Sequence, residues 1–260
     1  MPDTGPAPEI VTIPCLKDNY AYLLHDRATG ATAVIDVPDA APVEAALAAR
    51  GWHLTDIVIT HHHWDHVDGV AALRAASGAR VWGAAADAHR LPPLDHALTE
   101  GDQVVIGALR GHVIDVSGHT IGHIACHFPQ ANAVFTADSL MALGCGRLFE
   151  GTAAQMWDSL QKLAALPPET LVCSGHEYTM SNLRFARTIE PGNPALISRG
   201  MKIEAARAAD RPTVPSVLSE ELATNPFLRA ADPGIAQHLG LAGQAPVDVF
   251  ARIRSLKDSF

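Results

Sequence analysis

The sequence has no long apolar run, no excess of basic residues and no paired cysteines. No segment approaches the roughly 18 consecutive apolar residues that a membrane-spanning helix needs, so we expect no association with a membrane. The net charge is −9, with 19 lysines and arginines against 28 aspartates and glutamates. Because nucleic-acid-binding proteins present basic patches to the phosphate backbone, we also expect no nucleic-acid partner.

The four cysteines are too few and too scattered to indicate a disulfide framework. They stand at positions 15, 126, 145 and 173. Residues 1–5 lack the basic and apolar regions of a secretory signal peptide. We therefore expect reduced thiols and a cytoplasmic location. The sequence does not reveal the oligomeric state, and a monomer is the default expectation.

The chain does contain enough apolar side chain for a substantial core. It has 260 residues, 48% of them hydrophobic, which suits one large domain or a large domain with a small one. Strand patterns dominate the first part, whereas helical patterns separated by proline and glycine follow from about residue 178. The sequence predicts strands over residues 10–16, 20–25, 31–37, 56–60, 80–83, 103–106, 112–116, 123–128, 133–136 and 170–173, and helices over residues 42–50, 67–76, 152–165, 178–189, 194–209 and 219–223.

The densest group of metal-capable side chains lies directly after the predicted strand 56–60. Residues 61–66 read HHHWDH. A helix would set His61 and His63 about 200° apart, whereas in an extended loop residues i and i+2 share one side. We therefore predict that His61, His63 and Asp65 converge on a metal, while the turn into the next helix reorients His66. The pattern points His62 away from this side, and Trp64 is predicted to pack.

Later candidate ligands follow three other predicted strands. His119 comes after the strand that ends at residue 116, Asp138 closes the run 135–138, and His176 follows residues 173–175. An isolated histidine is usually a packed or surface residue, which is our interpretation of the remaining histidines, His123 included. Three nitrogen donors with an open position suit a catalytic zinc ion. A carboxylate between two ions suits a binuclear hydrolase.

Six segments of the chain resemble one known family. Residues 60–66 (THHHWDH) look like the His-x-His-x-Asp-His signature of the metallo-β-lactamase superfamily. Five others are similar to hydroxyacylglutathione hydrolases (glyoxalase II) within it, namely residues 14–20 (PCLKDNY), 144–152 (GCGRLFEGT), 175–179 (GHEYT), 225–229 (NPFLR) and 254–258 (RSLKD). The resemblance therefore covers almost the whole chain.

The resemblance implies both a fold and a metal centre. The fold would be of the α/β class, an αββα metallo-β-lactamase-type sandwich over residues 1–177 followed by a small α-helical, glutathione-binding domain over residues 178–260. The centre would hold two divalent ions, zinc in the first instance, with iron or manganese as alternatives. The ligands that the family pattern implies are His61, His63 and His119 for one ion, Asp65, His66 and His176 for the other, and Asp138 with a hydroxide as bridges.

The implied activity is hydrolysis of the thioester S-D-lactoylglutathione, and of related S-2-hydroxyacylglutathiones, to glutathione and D-lactate. This reaction is the second step of methylglyoxal detoxification. Our hypothesis is that the bridging hydroxide, formed because two ions lower the pKa of water towards about 7, attacks the thioester carbonyl. Asp65 and Asp138 would be the catalytic carboxylates that hold it.

The same resemblance names candidates for the glutathione site. They are Arg147, Phe149, Tyr178, Arg254 and Lys257. Arginine engages carboxylates such as those of glutathione through two parallel hydrogen bonds. The alternative for Arg254 and Lys257 is the solvated face of a terminal helix. Phe149 stands where some family members carry tyrosine, which removes one possible hydrogen bond to the tripeptide.

Four other functions fit parts of the pattern. A β-lactamase or lactonase would share the metal signature but not the combination of segment 144–147 with a basic terminal helix. A sulfur dioxygenase would use one iron at the first three histidine positions. A metal-binding protein without turnover would hold metal and hydrolyse no thioester. A nuclease is disfavoured by the net charge of −9.

Overall fold

The computed structural model describes residues 6–260. The expectation that residues 1–5 are not part of a signal peptide concerns residues outside this range. Within the described part, no helix combines the length and the apolar character needed to cross a membrane. The chain divides into two compact units. The first runs to Asp115 and includes Ile121–Thr136, and the second comprises Val116–Thr120 and Ala137–Phe260.

The first unit opens with a mixed six-stranded sheet. Its strands are β1 (Glu9–Cys15), β2 (Asn19–His25), β3 (Thr32–Ile35), β4 (Asp56–Val58), β5 (Arg80–Ala84) and β6 (His96–Leu98), and its helices are α1 (Ala40–Arg50), α2 (Trp64–Val67) and α3 (Val70–Ser77). The strands lie side by side in chain order, antiparallel from β1 to β3 and parallel from β3 to β6. Parallel neighbours need crossovers, which the helices after β3 and β4 provide.

Local sequence sets both ends of α1. The carboxylate of Asp39 accepts a hydrogen bond from the Ala41 amide at 3.1 Å, which satisfies a donor at the helix start. Gly51 ends the helix in the left-handed conformation, with φ 65°, where a residue with a Cβ would be strained. These two residues explain why the helix begins at Ala40, two residues before the predicted start, and ends at Arg50 as predicted.

The buried sides of α1 and α3 pack onto the first sheet. Val43 and Leu47 of α1 belong to the same apolar cluster as Val70 and Leu73 of α3 and Ile57 of β4. These side chains are at most 9% exposed. The two helices therefore cover one face of the sheet, and the loop from β4 to α2 is held at the edge of this core.

Four antiparallel strands complete the first unit. They are β7 (Gln103–Ile106), β8 (Leu109–Asp115), β9 (Ile124–Phe128) and β10 (Ala133–Ala137), and each pairs with the next. The ring of Phe135 in β10 meets Tyr22 of β2 edge-on, with centroids 5.7 Å apart, and also contacts Phe128 at 6.0 Å. This buried aromatic contact joins the four strands to the first sheet.

The second unit is mostly helical. Its strands are β11 (Leu140–Met141), β12 (Gly144–Cys145), β13 (Leu171–Ser174) and β14 (Ser216–Val217), and its helices are α4 (Ala153–Ala164), α5 (Thr179–Ile189), α6 (Pro194–Ala208), α7 (Leu218–Thr224), α8 (Pro233–His238) and α9 (Pro246–Asp258). β11 and β12 form a short hairpin, and β13 pairs with β14. A cluster with Leu183, Leu196 and Ile203 gives α5 and α6 a shared core.

The four cysteines all lie among the described residues, where they are buried and form no disulfide. Burial raises the pKa of Cys15 and of Cys145 to about 11 and that of Cys126 to about 12. Burial also raises the pKa of Cys173.

The predicted elements are confirmed in position, while two local predictions are wrong. All ten predicted strands and six predicted helices have counterparts, and α9 corresponds to the terminal helix expected around Arg254 and Lys257. The remaining elements, β6, β11, β12, β14, α2 and α8, are too short to give a readable period. Helix α2 begins at Trp64, so Asp65 is helical rather than part of an extended run. Trp64 is 63% exposed and does not pack. The domain boundary at residues 177 and 178 remains a prediction.

Candidate metal centre

The loop after β4 places two imidazoles side by side. His63 has an extended backbone, φ −61° and ψ 142°, as predicted for the start of residues 61–66. The Nε2 atom of His61 lies 3.1 Å from Nδ1 of His63. Nδ1 of His61 is 3.0 Å from the Thr60 hydroxyl oxygen, so Nε2 is the His61 atom directed at His63. His61 is fully buried.

A carboxylate that the sequence analysis missed holds this loop. One Asp36 oxygen accepts a hydrogen bond from the Thr60 amide, and the other accepts from the Thr60 hydroxyl and from His66 Nδ1, each at 2.8 Å. A carboxylate on one imidazole nitrogen fixes the ring so that the other nitrogen serves a metal. Asp36 also lies close to His61 and His66, with one candidate ligand atom from each within 4.8 Å. Because its two oxygens already accept three hydrogen bonds, Asp36 orients these ligands.

Asp65 and His66 lie on the single turn of α2. The Asn19 side chain donates to the Asp65 carbonyl at 3.0 Å and to its carboxylate at 3.1 Å. The Val37 amide donates to the His66 carbonyl at 2.8 Å, which ties the turn to the chain after β3. The start of β2 and the end of β3 thus fix the orientation of both candidate ligands.

Two further histidines of the first unit support this loop. His62 Nδ1 lies 2.9 Å from the buried Asp87 carboxylate, which also pairs with Arg90. The ring of His123 stacks on His61, with centroids 4.5 Å apart and planes 11° apart. The packed position predicted for His123 is therefore confirmed, and His62 is directed at a carboxylate.

The second unit brings together the other three candidate ligands. One oxygen of Asp138, Oδ2, lies 3.5 Å from His119 Nε2 and 3.3 Å from His176 Nε2. All three side chains are buried. His119 Nδ1 donates to the Arg147 carbonyl at 2.8 Å, which leaves Nε2 as the nitrogen directed at Asp138. A single carboxylate oxygen therefore lies between two imidazoles.

These donor groups fit divalent metal ions. Two ligands on one tetrahedral zinc ion, each about 2.0–2.1 Å from it, are roughly 3.3 Å apart. The separations of 3.1 Å in the first unit and of 3.3 and 3.5 Å in the second are close to this value. The donors are imidazole nitrogens and carboxylate oxygens, a set that zinc, iron and manganese accept.

Two candidate substrate residues lie beside the candidate ligands. The ring of Phe149 meets His119 edge-on, with centroids 5.3 Å apart, and is 61% exposed. The ring of Tyr178 stacks on His176 at 4.6 Å and is 41% exposed. Both aromatic side chains combine contact with a candidate ligand and access to solvent.

The three basic candidates differ in their surroundings. The exposed Arg147 pairs with Asp258 at 3.2 Å. Arg254 is only 6% exposed and donates to the Cys145 carbonyl at 2.8 Å, so the alternative of a solvated position is wrong for Arg254. Lys257 is half-buried, and burial together with the neighbouring Arg254 charge lowers its pKa to about 8.

Comparison with known proteins gives two family matches. Residues 18–176 match the model described as the metallo-β-lactamase superfamily, and residues 177–260 match the model described as the hydroxyacylglutathione hydrolase C-terminus. The chain is 74% identical to a hydroxyacylglutathione hydrolase of Jannaschia sp. (strain CCS1), over 97% of this chain and 99% of the relative. It is 64% identical to a hydroxyacylglutathione hydrolase of Ruegeria pomeroyi, over the same shares of the two chains.

A solved structure shows the same fold. The crystal structure of the BLEG-1 B3 metallo-β-lactamase superposes with a TM-score of 0.66 at 21% identity, over 85% of this chain and 99% of that chain. This likeness and the match at the C-terminus confirm the predicted αββα architecture followed by helices.

Proposed function

Because the chain belongs to the hydroxyacylglutathione hydrolase family of the metallo-β-lactamase superfamily, we propose that it hydrolyses S-D-lactoylglutathione. Related S-2-hydroxyacylglutathiones are further substrates, and the products are glutathione and D-lactate, the second step of methylglyoxal detoxification. The observation that carries this proposal is the identity of 74% over 97% of the chain with a hydroxyacylglutathione hydrolase.

The histidine and aspartate groups of this family member bind divalent metal. We propose two zinc ions per chain, with iron or manganese as the alternatives. His61, His63 and His119 would hold one ion, Asp65, His66 and His176 the other, and Asp138 both. The short donor separations within each unit support this assignment.

The chain's own residues supply orientation for the reaction. When bound, two such ions supply Lewis acidity and lower the pKa of water towards about 7. The carboxylate of Asp138 lies between His119 and His176, and Asn19 donates a hydrogen bond to the carboxylate of Asp65. Both carboxylates therefore have defined positions. Water oxygen forms a bond to the acyl carbon, the carbon–sulfur bond breaks, and glutathione leaves as a thiolate that takes up a proton.

Recognition of glutathione requires positive charge, because the tripeptide carries two carboxylates. Arg147 and Lys257 are the accessible basic candidates, and we propose that they bind these carboxylates. Tyr178 would donate a hydrogen bond and Phe149 would provide apolar contact. The nitrogens of Arg254 are directed at the Cys145 carbonyl and at Asp258, so we propose that Arg254 contributes by fixing the chain around Arg147.

We also propose a monomer in the cytoplasm, without a nucleic-acid partner. The four buried cysteines, which form no disulfide, support a reducing compartment, and the net charge of −9 disfavours phosphate backbones. The boundary between the catalytic and helical domains at residues 177 and 178 is proposed with them. The two matching family models meet at residues 176 and 177, which supports it.

One set of assays tests the proposal. Purified protein should hydrolyse S-D-lactoylglutathione, and the same sample should contain two divalent ions per chain. Oxygen uptake with glutathione persulfide would instead identify a dioxygenase, and turnover of a β-lactam or lactone alone would identify the other hydrolases. Bound metal without turnover of any of these substrates would identify a metal-binding protein that is not an enzyme.

A further inference from the structure

The hairpin of β11 and β12 is enclosed within the second unit. Residues 137–146 are all buried, so their backbone polar groups need partners inside the protein. The hairpin ladder itself contains only two residue pairs, Leu140 with Cys145 and Met141 with Gly144. The turn between the strands includes Leu143 with φ 57°, a left-handed conformation that is strained for leucine. Such a short, strained hairpin depends on contacts from outside it.

Four side chains of the helical segment, residues 178–260, provide these contacts. They belong to α5, α7, α9 and the residue after α7, and they bond one amide and four carbonyl groups of the hairpin. The contacts are Asn225 Nδ2 to Met141 O (3.1 Å) and Gly144 O (3.0 Å), Asn182 Nδ2 to Ala142 O (3.0 Å), Arg254 Nη1 to Cys145 O (2.8 Å), and the Leu143 amide to Glu221 Oε2 (2.8 Å).

Glu221 joins this network to a buried ion pair. Its carboxylate is fully buried and pairs with Arg199, which is 6% exposed. Glu221 also accepts a hydrogen bond from Asn225 Nδ2 at 3.2 Å. A buried ion pair costs much of its attraction in desolvation, so it is weak evidence for stability alone. The ion pair and the bond to Asn225 instead fix the positions of Glu221 Oε2 and Asn225 Nδ2, the two atoms that bond the hairpin.

The base of the hairpin touches two candidate metal ligands. The Gly146 amide donates to Ser139 O at 3.1 Å, and a Cβ at Gly146 would come within 2.0 Å of the Asp138 carbonyl oxygen and 2.9 Å of His119 Nδ1. The next carbonyl, that of Arg147, accepts the hydrogen bond from His119 Nδ1. Gly146 and Arg147, at the base of the hairpin, are therefore in direct contact with both Asp138 and His119.

We propose that Asn225 and Glu221 are positioning residues for the metal centre, acting through the β11–β12 hairpin on Asp138 and His119. The helical segment then has a second task besides substrate recognition: it sets the geometry of two ligands. This inference rests on the proposed metal centre, because it assumes that Asp138 and His119 bind metal.

The test compares Asn225→Leu with Asn193→Leu. Both changes remove an amide of similar size from the second unit. Asn193 caps α6 and bonds Ala223 O of α7 at 3.0 Å, and none of its hydrogen-bond partners lies in the hairpin. Zinc affinity is measured by competition with a chromogenic chelator, alongside kcat, KM and thermal stability. N225L should lower zinc affinity by about tenfold, the lower end of the effect of losing a residue that bonds a ligand directly, because Asn225 acts on Asp138 and His119 through the hairpin. It should also lower kcat more than it raises KM. N193L should lose stability with zinc affinity within about twofold of the wild type.

Three outcomes overturn the inference: N225L with wild-type zinc affinity, equal loss of zinc affinity in both variants, or a change confined to KM. If N225L does not fold, Asn182→Ser takes its place, because it removes only the bond to Ala142 O. N182S should lower zinc affinity in the same direction by a smaller factor, and unchanged affinity would overturn the inference. Wild-type protein that binds no zinc, iron or manganese would instead contradict the proposed centre itself.

Discussion

The carboxylate of Asp36 lies 2.8 Å from Nδ1 of His66 and also binds the amide and the hydroxyl of Thr60, directly before His61. One side chain at the end of β3 thus orients the first and the last histidine of residues 61–66. This link crosses two parallel strands, β3 and β4, whose carboxyl ends meet at one edge of the sheet.

Replacing Asp36 with asparagine should weaken metal binding. The amide cannot accept all three hydrogen bonds, so the loop and the His66 ring lose their fixed orientation. We expect metal affinity and kcat to fall by roughly 10–100-fold, measured by chelator competition and by thioester hydrolysis. Asp26→Asn is the matched control, since Asp26 also accepts amide and hydroxyl hydrogen bonds, but in a turn. Equal metal loss in both variants would contradict an orienting role for Asp36.

Asp138→Ala should abolish thioester hydrolysis or lower the metal content. Its Oδ2 atom lies within 3.5 Å of two imidazole nitrogens, so no other side chain can supply the same oxygen. Loss of a residue that merely hydrogen-bonds to a metal ligand lowers activity by up to about 100-fold. Because Asp138 is proposed as a ligand itself, kcat of D138A should fall by more than that. Metal analysis and circular dichroism on the same sample separate ligand loss from unfolding. Asp158→Ala, at an exposed position of α4, is the control. Full activity of D138A would rule out the binuclear mechanism.

Lys257→Ala should raise KM for S-D-lactoylglutathione while kcat and metal content stay near wild-type values. Loss of one charge-assisted contact worth about 1.4 kcal/mol corresponds to a tenfold change in binding. Lys202→Ala removes a lysine whose side chain is 71% exposed and should leave KM unchanged. An unchanged KM in K257A would assign Lys257 to the surface.

The pKa of Lys257 predicts how KM depends on pH. Burial, followed by the Arg254 charge, lowers this pKa to about 8, so the ammonium is charged below pH 8 and neutral above it. Substrate carboxylates then lose an attractive partner as the pH rises, and KM should rise between pH 7 and pH 9 towards the value of K257A. Lys257→Arg stays charged throughout this range and should remove that part of the rise. Identical curves for wild type and K257R would contradict the assignment.

The sequence names candidate ligands but not the contacts that orient them. His61, His63 and His66 stand together in one run, and His119, Asp138 and His176 each follow a predicted strand. Asp36 was missed because its partners are 24 and 30 residues away and meet it only through parallel strand pairing. That pairing offers the one usable signal, an acidic residue at the carboxyl end of the neighbouring strand.

The hairpin contacts were beyond sequence reasoning for a different physical reason. Asn225 and Arg254 reach backbone carbonyls 81 and 109 residues away, and a backbone carbonyl has no residue-type signature. The strands β11 and β12 have two residues each, too few to show the alternation of apolar and polar residues that predicts a strand. The basic residues of the last helix therefore pointed to substrate, while the burial of Arg254 is visible only in three dimensions.

The burial of all four cysteines has a consequence for an enzyme whose substrate is an acyl donor. A thioester transfers its acyl group to a reactive thiolate and releases its own thiol, so only a deprotonated cysteine would be acylated. Thiols with pKa values of about 11 to 12, such as Cys15, Cys145 and Cys126, hold almost no thiolate at neutral pH. Even Cys145, which lies beside a guanidinium, is kept protonated by its surroundings. The protein thereby resists acylation by the thioester that it hydrolyses.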